Sequence, residues 1–172
     1  MLIRGTSPAA RERTMYEFLE ETAGDVMTRP CRQVSPETTV GDLHRLFAMD
    51  DVESYPVVRN GEVIGIVSKF DSLRPFALGT DQILPHYDEI MGTMVEEIMS
   101  RDVISANSGT RLTRVLQTMV QHRIKSVPVL DCENKLIGIV GRGDIFRALR
   151  KCTLPASVPT LGPDAAACQR TG

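Results

Sequence analysis

Three polar residues that follow apolar runs could bind a phosphorylated sugar. Ser68 and Asp71 follow directly on an apolar run that predicts a strand, and Asp144 stands in the same place after a second such run. A carboxylate can accept hydrogen bonds from ribose hydroxyls, and a serine hydroxyl beside a helix N-terminus can donate to phosphate. The same residue types also serve as a helix N-cap and as acidic residues favoured by the helix dipole, so both interpretations stay open.

No other chemistry has a recognisable pattern in the chain. The sequence lacks a Ser-His-Asp order, a cysteine with a neighbouring base and a paired-carboxylate motif, which predicts that the protein is not an enzyme. The three histidines and four cysteines show no metal-ligand spacing, so no metal site is expected.

Composition narrows the class of partner. With 42% apolar and 24% charged residues, the 172-residue chain has the balance of a globular protein. A net charge of -2 without a dense basic stripe argues against nucleic acid as a partner, and the absence of an apolar run of about 20 residues argues against a membrane span. Because no hydrophobic leader precedes them, the cysteines are expected to be reduced thiols of a cytoplasmic protein.

The candidate residues belong to an internal repeat. One insertion near Cys132 is enough to align the two copies, at an offset of 72 residues before it and 73 after it. The matching segments are 27–29 with 99–101, 54–58 with 126–130, and 63–67 with 136–140. Asp71 and Asp144 are separated by the 73-residue offset, so the repeat places them in equivalent positions.

Each copy predicts the order strand, helix, strand, strand, helix. Apolar residues at helical spacing mark the first helix of each copy, with Thr38 and Thr110 as expected N-caps. Two runs rich in Val and Ile follow, separated by residues 60–61 in one copy and 133–134 in the other, and each pair predicts a β-hairpin. One copy of about 50 residues buries too little apolar surface to be stable alone, so the two copies are expected to share a core.

The pattern divides the chain into five segments. An apolar side on residues 9–21 predicts an N-terminal helix, whereas Pro and Gly without periodicity predict a disordered C-terminal tail. The segments are the N-terminal extension (1–24), the first repeat (25–77), a linker (78–92), the second repeat (93–150) and the tail (151–172).

The repeated motifs resemble those of cystathionine β-synthase (CBS) domains. They read VMT at 26–28, SYPV at 54–57 and GIVSKFD at 65–71, each with a counterpart in the second copy, and the resemblance covers about residues 25–150. It implies an α/β fold in which two CBS repeats pack as a pseudo-twofold pair, often called a Bateman module. Such pairs commonly form a homodimer.

The resemblance also implies a function. It leads us to expect AMP, ADP or ATP as the ligand, with S-adenosylmethionine or NAD as less favoured choices, and most such pairs have no catalytic activity. The chain is therefore expected to bind an adenine nucleotide and to alter the activity of a regulated protein that the sequence does not identify. The alternative is a dimeric interaction scaffold of the same fold without a working ligand site.

In similar pairs each ligand cleft is built crosswise from both repeats. The first cleft is expected to combine Asp71 with polar and apolar residues of both copies: Ser68, Ile66, Ser100, Val103, Ser105, Lys125 and Ser126. The second is expected to combine Asp144 with Thr28, Ile139, Cys31 and Tyr55, whose ring would stack on a base.

The first cleft is expected to bind ligand more strongly than the second. Lys125 would add a cation to the first cleft, whereas its repeat counterpart Glu53 would repel phosphate in the second. Gly141 also stands where the first copy has Ser68, so the second cleft lacks the hydroxyl that Ser68 supplies to the first, which weakens a second phosphate site without excluding it.

Overall fold

The computed structural model describes residues 16–77 and 87–153, which form two similar α/β units. Residues 16–20 are helical. The elements that follow are α1 (Ala23–Val26), α2 (Val40–Met49), β1 (Ser54–Arg59), β2 (Glu62–Ser68), α3 (Lys69–Leu73) with a 3₁₀ turn (Arg74–Phe76), α4 (Tyr87–Gly92), α5 (Val95–Ile98), β3 (Ala106–Asn107), α6 (Leu112–His122), β4 (Ser126–Leu130), β5 (Leu136–Gly141) and α7 (Arg142–Thr153).

The predicted order of elements is present in both repeats, but the leading strand of the first repeat is shortened. In the second repeat β3 pairs parallel with β4, and β4 pairs antiparallel with β5. In the first repeat the leading strand is reduced to one parallel bridge between Val34 and Val57, beside the β1–β2 hairpin.

Both repeats contain the expected β-hairpin. β1 and β2 are joined by two turn residues, Asn60 and Gly61, whose φ angles are 55° and 85°. Positive φ at both positions gives a tight turn whose twist matches that of the strands, which is why Asn-Gly is favoured there. The loop between β4 and β5 is longer, and both hairpins shift register after the equivalent valine, Val57 or Val129.

The beginning of each repeat packs into the other repeat. The Thr28 backbone N–H donates to the Ile139 carbonyl in β5 at 2.9 Å, and the Ser100 N–H donates to the Ile66 carbonyl in β2 at 2.9 Å. The exchange extends into the cores, since α1 packs in the core of the second repeat and α5 in that of the first. Neither repeat therefore has a complete core of its own, and the expected pseudo-twofold pair is confirmed.

Two glycines allow the repeats to approach closely. A Cβ atom added to Gly138 in β5 would collide with the sulfur of Met27, and one added to Gly65 in β2 would collide with that of Met99. Both methionine side chains are buried. Each methionine thus occupies the space that a larger residue on the other repeat's strand would need, which explains the glycine at this position in both repeats.

Two expected N-caps are corrected by the structure. The N-cap of α2 is Thr39, whose hydroxyl accepts a backbone N–H in the first turn, and not Thr38. The N-cap position of α6 is Arg111, which makes no side-chain cap bond, while the Thr110 hydroxyl bonds within the preceding loop. Both helices begin later than predicted because the preceding threonines belong to turns.

The connecting segments also differ from the prediction. The segment 78–92, predicted as a linker, is helical in its last part, where α4 buries Ile90 against the first repeat. The final helix α7 continues to Thr153, past the predicted end of the second repeat at 150. The expectations for residues 1–15, 78–86 and 154–172 lie outside the described residues.

Gly138→Ala should destabilise the fold. The added methyl group would have to displace the Met27 side chain, and overpacking of this kind typically costs about 1–3 kcal/mol of unfolding free energy. Urea unfolding followed by circular dichroism measures the loss. Gly143→Ala is the matched control, because a Cβ there meets nothing within 4 Å and alanine is favoured over glycine in a helix.

The loss of unfolding free energy in Gly138→Ala should depend on Met27. In a Met27→Ala background the added cost of Gly138→Ala should shrink towards zero, since the space is then free. An equal cost in both backgrounds would contradict the contact as the source of the destabilisation.

Candidate functional site

Two clefts open between the repeats, one beside each of the repeated aspartates. The first has a volume of about 370 Å³. Its lining residues are Ser54, Ile66, Ser68, Phe70, Asp71, Ser100, Asp102, Val103, Ile104, Arg123, Ile124, Lys125 and Ser126. Seven of the eight residues expected in this cleft are in that set. The eighth, Ser105, lies instead in a separate surface depression beside β3.

Ser68 and Asp71 hold each other in place at the start of α3. The Asp71 Oδ2 atom accepts from the Ser68 backbone N–H at 2.9 Å and from its hydroxyl at 2.6 Å, while the Ser68 Oγ atom accepts from the Asp71 N–H at 3.2 Å. This reciprocal capping box begins the helix. The other carboxylate oxygen, Oδ1, lies 3.8 Å from the Arg74 guanidinium, so it can still accept a hydrogen bond from a ligand hydroxyl.

The lysine of the first cleft is already paired. Its Nζ atom lies 3.1 Å from the Glu53 Oε2 atom, and this hydrogen bond from Lys125 is the main reason that the pKa of Glu53 is lowered. The neighbouring Ser54 and Ser126 hydroxyls hydrogen bond to each other. Each pair consists of repeat counterparts, so the pseudo-twofold axis passes between them. The two charged residues, expected to act in different clefts, therefore meet at the axis.

Six lining residues of the first cleft were not predicted from the sequence. They are Ser54, Phe70, Asp102, Ile104, Arg123 and Ile124. A signal existed for Phe70, which stands next to Asp71 in the repeated motif. Arg123 had no usable signal, because it ends α6 in the left-handed conformation at φ 55°, a position usually marked by glycine. It adds a second cation to the cleft.

The second cleft has a volume of about 560 Å³ and includes Thr28, Ile139 and Asp144, as expected. Asp144 is only 6% exposed. Its Oδ2 atom accepts from the Gly141 N–H at 2.8 Å. Its Oδ1 atom accepts from the Thr28 hydroxyl at 3.2 Å and from the Arg147 guanidinium at 2.8 Å. Both carboxylate oxygens are thus engaged by the protein, in contrast to the first cleft.

The charge of the second cleft is more balanced than expected. Glu53 lines it, but its carboxylate lies 3.6 Å from the Arg142 guanidinium as well as close to Lys125. The charged lining residues are Asp51, Glu53, Lys125, Arg142, Asp144 and Arg147. Repulsion of phosphate by Glu53 is therefore offset by neighbouring cations.

Tyr55 and Cys31 do not line the second cleft. Tyr55 is 1% exposed, and its ring centroid lies 4.9 Å from that of Phe47 in the core of the first repeat. Its hydroxyl donates to the Asp50 carboxylate at 2.6 Å, and burial together with this contact raises the pKa of the phenol. The expected stacking of Tyr55 on a base is therefore wrong. Cys31 is half-buried, and burial raises the pKa of its thiol to about 11.

The sequence profile of the CBS domain matches the chain twice, at residues 23–71 and 95–151. The chain belongs to the CBS domain family. It is similar to the CBS domain-containing protein YhcV of Bacillus subtilis, with 34% identity over 122 residues that cover 70% of this chain and 80% of YhcV. It is also similar to protein MJ1225 of Methanocaldococcus jannaschii, with 30% identity over 74% of this chain. The chain spans about half of MJ1225, 46% of its length.

Solved structures contain the same CBS pair. The crystal structure of MJ1225 matches with a TM-score of 0.68 and 27% identity, over 80% of this chain and 52% of that one. The crystal structure of CBSX2 in complex with AMP matches with a TM-score of 0.66 and 27% identity, over 78% of this chain and 99% of that one. The family predicted from the repeated motifs is confirmed.

Two further observations concern this CBS pair. Within residues 16–77 and 87–153, no helix combines the length and apolar character needed to cross a membrane. In the same described part of the chain, no three His, Cys, Asp or Glu side chains come together in a way that could hold a metal ion.

The two aspartates should differ in their effect on stability. Asp144→Ala should lower the free energy of unfolding by about 2–3 kcal/mol, because it leaves the partly buried Gly141 N–H and the Thr28 hydroxyl without an acceptor. Asp71→Ala should cost about 1 kcal/mol, the usual effect of losing a helix cap. Urea unfolding of both variants measures the difference. A smaller loss for Asp144→Ala than for Asp71→Ala would contradict the structural role assigned to Asp144.

Proposed function

We propose that this CBS pair is a regulatory module that binds an adenine nucleotide in the first cleft and, when occupied, alters the activity of a partner protein. The supporting observation is that the cleft gathers a carboxylate with an available oxygen, two cations and apolar walls from both repeats. The AMP complex of CBSX2, whose structure is similar over most of both chains, supports the choice of ligand class.

Each part of an adenine nucleotide has a counterpart in the cleft. The Asp71 Oδ1 atom accepts from a ribose hydroxyl, and Arg123 and Lys125 supply positive charge for phosphate. Ile66, Val103 and the other apolar lining residues form walls for the base. To reach phosphate, the Lys125 ammonium has to leave Glu53, which is half-exposed and 3.1 Å away.

The charge of the cleft favours a ligand with few phosphates. Two carboxylates, Asp71 and Asp102, face two cations, Arg123 and Lys125, among the lining residues. Each added phosphate brings negative charge that this balanced set does not neutralise. AMP is therefore preferred over ADP and ATP in this proposal, while S-adenosylmethionine and NAD share the adenosine part that Asp71 recognises.

Ligand binding would act on the relative placement of the repeats. Because the cleft walls belong to different repeats, a ligand that contacts both favours the arrangement in which they fit it best.

The regulated partner and the homodimer stay predictions. Exposed apolar side chains on the second repeat, Phe146 and Val120, support a subunit contact there. A monomeric mass at micromolar concentration would contradict the homodimer.

The second candidate function is an interaction scaffold. It is favoured by the internal pairing of polar groups that would otherwise meet a ligand: Ser68 with Asp71, and Lys125 with Glu53. In this case neither cleft binds a ligand. A scaffold keeps its partner when Asp71 is replaced, whereas a sensor loses its response to nucleotide.

AMP should raise the melting temperature of the protein. A ligand at 100 times its dissociation constant stabilises the folded state by about 2.7 kcal/mol, or about 5–11 °C for a chain of this size. Asp71→Ala should lose this shift, each variant being compared with its own unliganded melting temperature. Asp25→Ala is the matched control, because Asp25 forms the same kind of capping box with Thr22 at α1 and does not line the cleft.

Two other outcomes would change the proposal. No shift with AMP, ADP, ATP, S-adenosylmethionine or NAD would favour the scaffold. A shift that survives Asp71→Ala but is lost on replacing Arg142 would move the site to the second cleft.

A further inference from the structure

The two clefts share part of their walls. Ser54, Lys125 and Ser126 line both of them. Lys125 is the only cation common to the two sets of lining residues, and its ammonium is held by Glu53, which lines the second cleft. A change in the position of this one side chain therefore alters the charge of both clefts.

The backbone joins the same two residues to the helices that carry the aspartates. The Glu53 carbonyl accepts from the Lys69 N–H at 3.0 Å, at the start of α3, which carries Asp71. The Lys125 carbonyl accepts from the Arg142 N–H at 3.1 Å, at the start of α7. The backbone of each residue of the ion pair is thus hydrogen bonded to the start of a helix that carries one of the aspartates.

Lys125 cannot neutralise an anion in each cleft at once. A phosphate in the first cleft draws its ammonium away from Glu53, whose remaining cationic neighbours are Arg142, at 3.6 Å, and the more distant Lys69. The second cleft then has three carboxylates, those of Asp51, Glu53 and Asp144, against two guanidinium groups. One of these guanidinium groups, that of Arg147, already pairs with Asp144 at 2.8 Å.

We propose that Lys125 is a single cation shared by the two clefts, so that an anion bound in the first cleft weakens the binding of an anion in the second. This inference rests on the proposed function of the first cleft and adds a regulatory coupling to it. Because binding free energies are linked, the effect is reciprocal, and an anion in the second cleft weakens the first by the same factor. The module then responds to nucleotide over a wider concentration range than one site does.

Isothermal titration calorimetry of the full chain with AMP tests the coupling. In the wild type, the dissociation constant of the second binding event should be at least about fivefold weaker than that of the second cleft alone, a typical size for coupling between sites. The Asp71→Asn variant measures the second cleft alone. It removes the carboxylate that accepts from the ribose hydroxyl in the first cleft but keeps a side-chain oxygen for the Ser68 N–H. Arg142→Ala in the Asp71→Asn background should remove the remaining binding and so assigns it to the second cleft.

Replacing Lys125 should abolish the difference in second-cleft dissociation constant between the wild type and Asp71→Asn. In Lys125→Met the dissociation constant of the second cleft should be the same whether or not Asp71 is intact. Lys135→Met is the matched control, because Lys135 forms a similar exposed ion pair with Glu133 at 2.6 Å, outside both clefts. It should leave the fivefold difference unchanged. Circular dichroism and thermal unfolding establish that each variant is folded.

Glu53→Gln provides a second, independent measurement. It removes the charge that holds Lys125, so the first binding event should become about 2- to 5-fold tighter, the range that an exposed ion pair contributes. Unchanged or weaker first-site binding would contradict the role of the pair.

The possible failures are distinguishable. Two binding events with the same second-cleft affinity in the wild type and in Asp71→Asn overturn the coupling and leave the proposed function standing. One event in the wild type and none in Asp71→Asn also overturns the coupling, because the second cleft then binds no AMP. A difference that survives Lys125→Met overturns the role of the lysine. No AMP binding in the wild type overturns the proposed function and the coupling together.

Discussion

The exchange of opening segments between the two repeats is the interaction on which the rest of the structure depends. Met27 lies against Gly138 and Met99 against Gly65, so each repeat is completed by the first residues of the other. Separating the repeats would expose both cores at once, which makes the pair the smallest unit that can be stable. The clefts follow from the same exchange. The bridge between Ser100 and β2 brings the segment after Ser100 alongside the start of α3, and the first cleft opens between them.

Pseudo-twofold packing brings equivalent residues of the two repeats together at the axis. Ser54 meets Ser126, and Glu53 meets Lys125. The first pair preserves the symmetry, whereas the second breaks it by placing opposite charges at equivalent positions. The two repeats thus differ in the residue type at this position, and the two residues form an ion pair. This ion pair connects the clefts electrostatically.

The two aspartates show how one position can serve structure and ligand binding to different degrees. Asp71 uses one oxygen to cap α3 and keeps the other within reach of solvent. Asp144 is buried and uses both oxygens for contacts within the protein. The difference arises from their neighbours, because Thr28 and Arg147 contact Asp144 directly, whereas Arg74 stays 3.8 Å from Asp71. The helix position is the same, but the available hydrogen-bonding capacity differs.

The sequence by itself determined the repeat, the hairpins and most of the first cleft. These features depend on short-range patterns, such as the Asn60-Gly61 turn and the spacing of apolar residues, or on motifs present in both copies. Only the tertiary structure decided that the Tyr55 ring is buried beside Phe47, that Lys125 pairs with Glu53, and that Arg123 lines the cleft while Ser105 does not. Each of these outcomes depends on which side chain lies opposite in the folded pair, and periodicity along the chain carries no information about that.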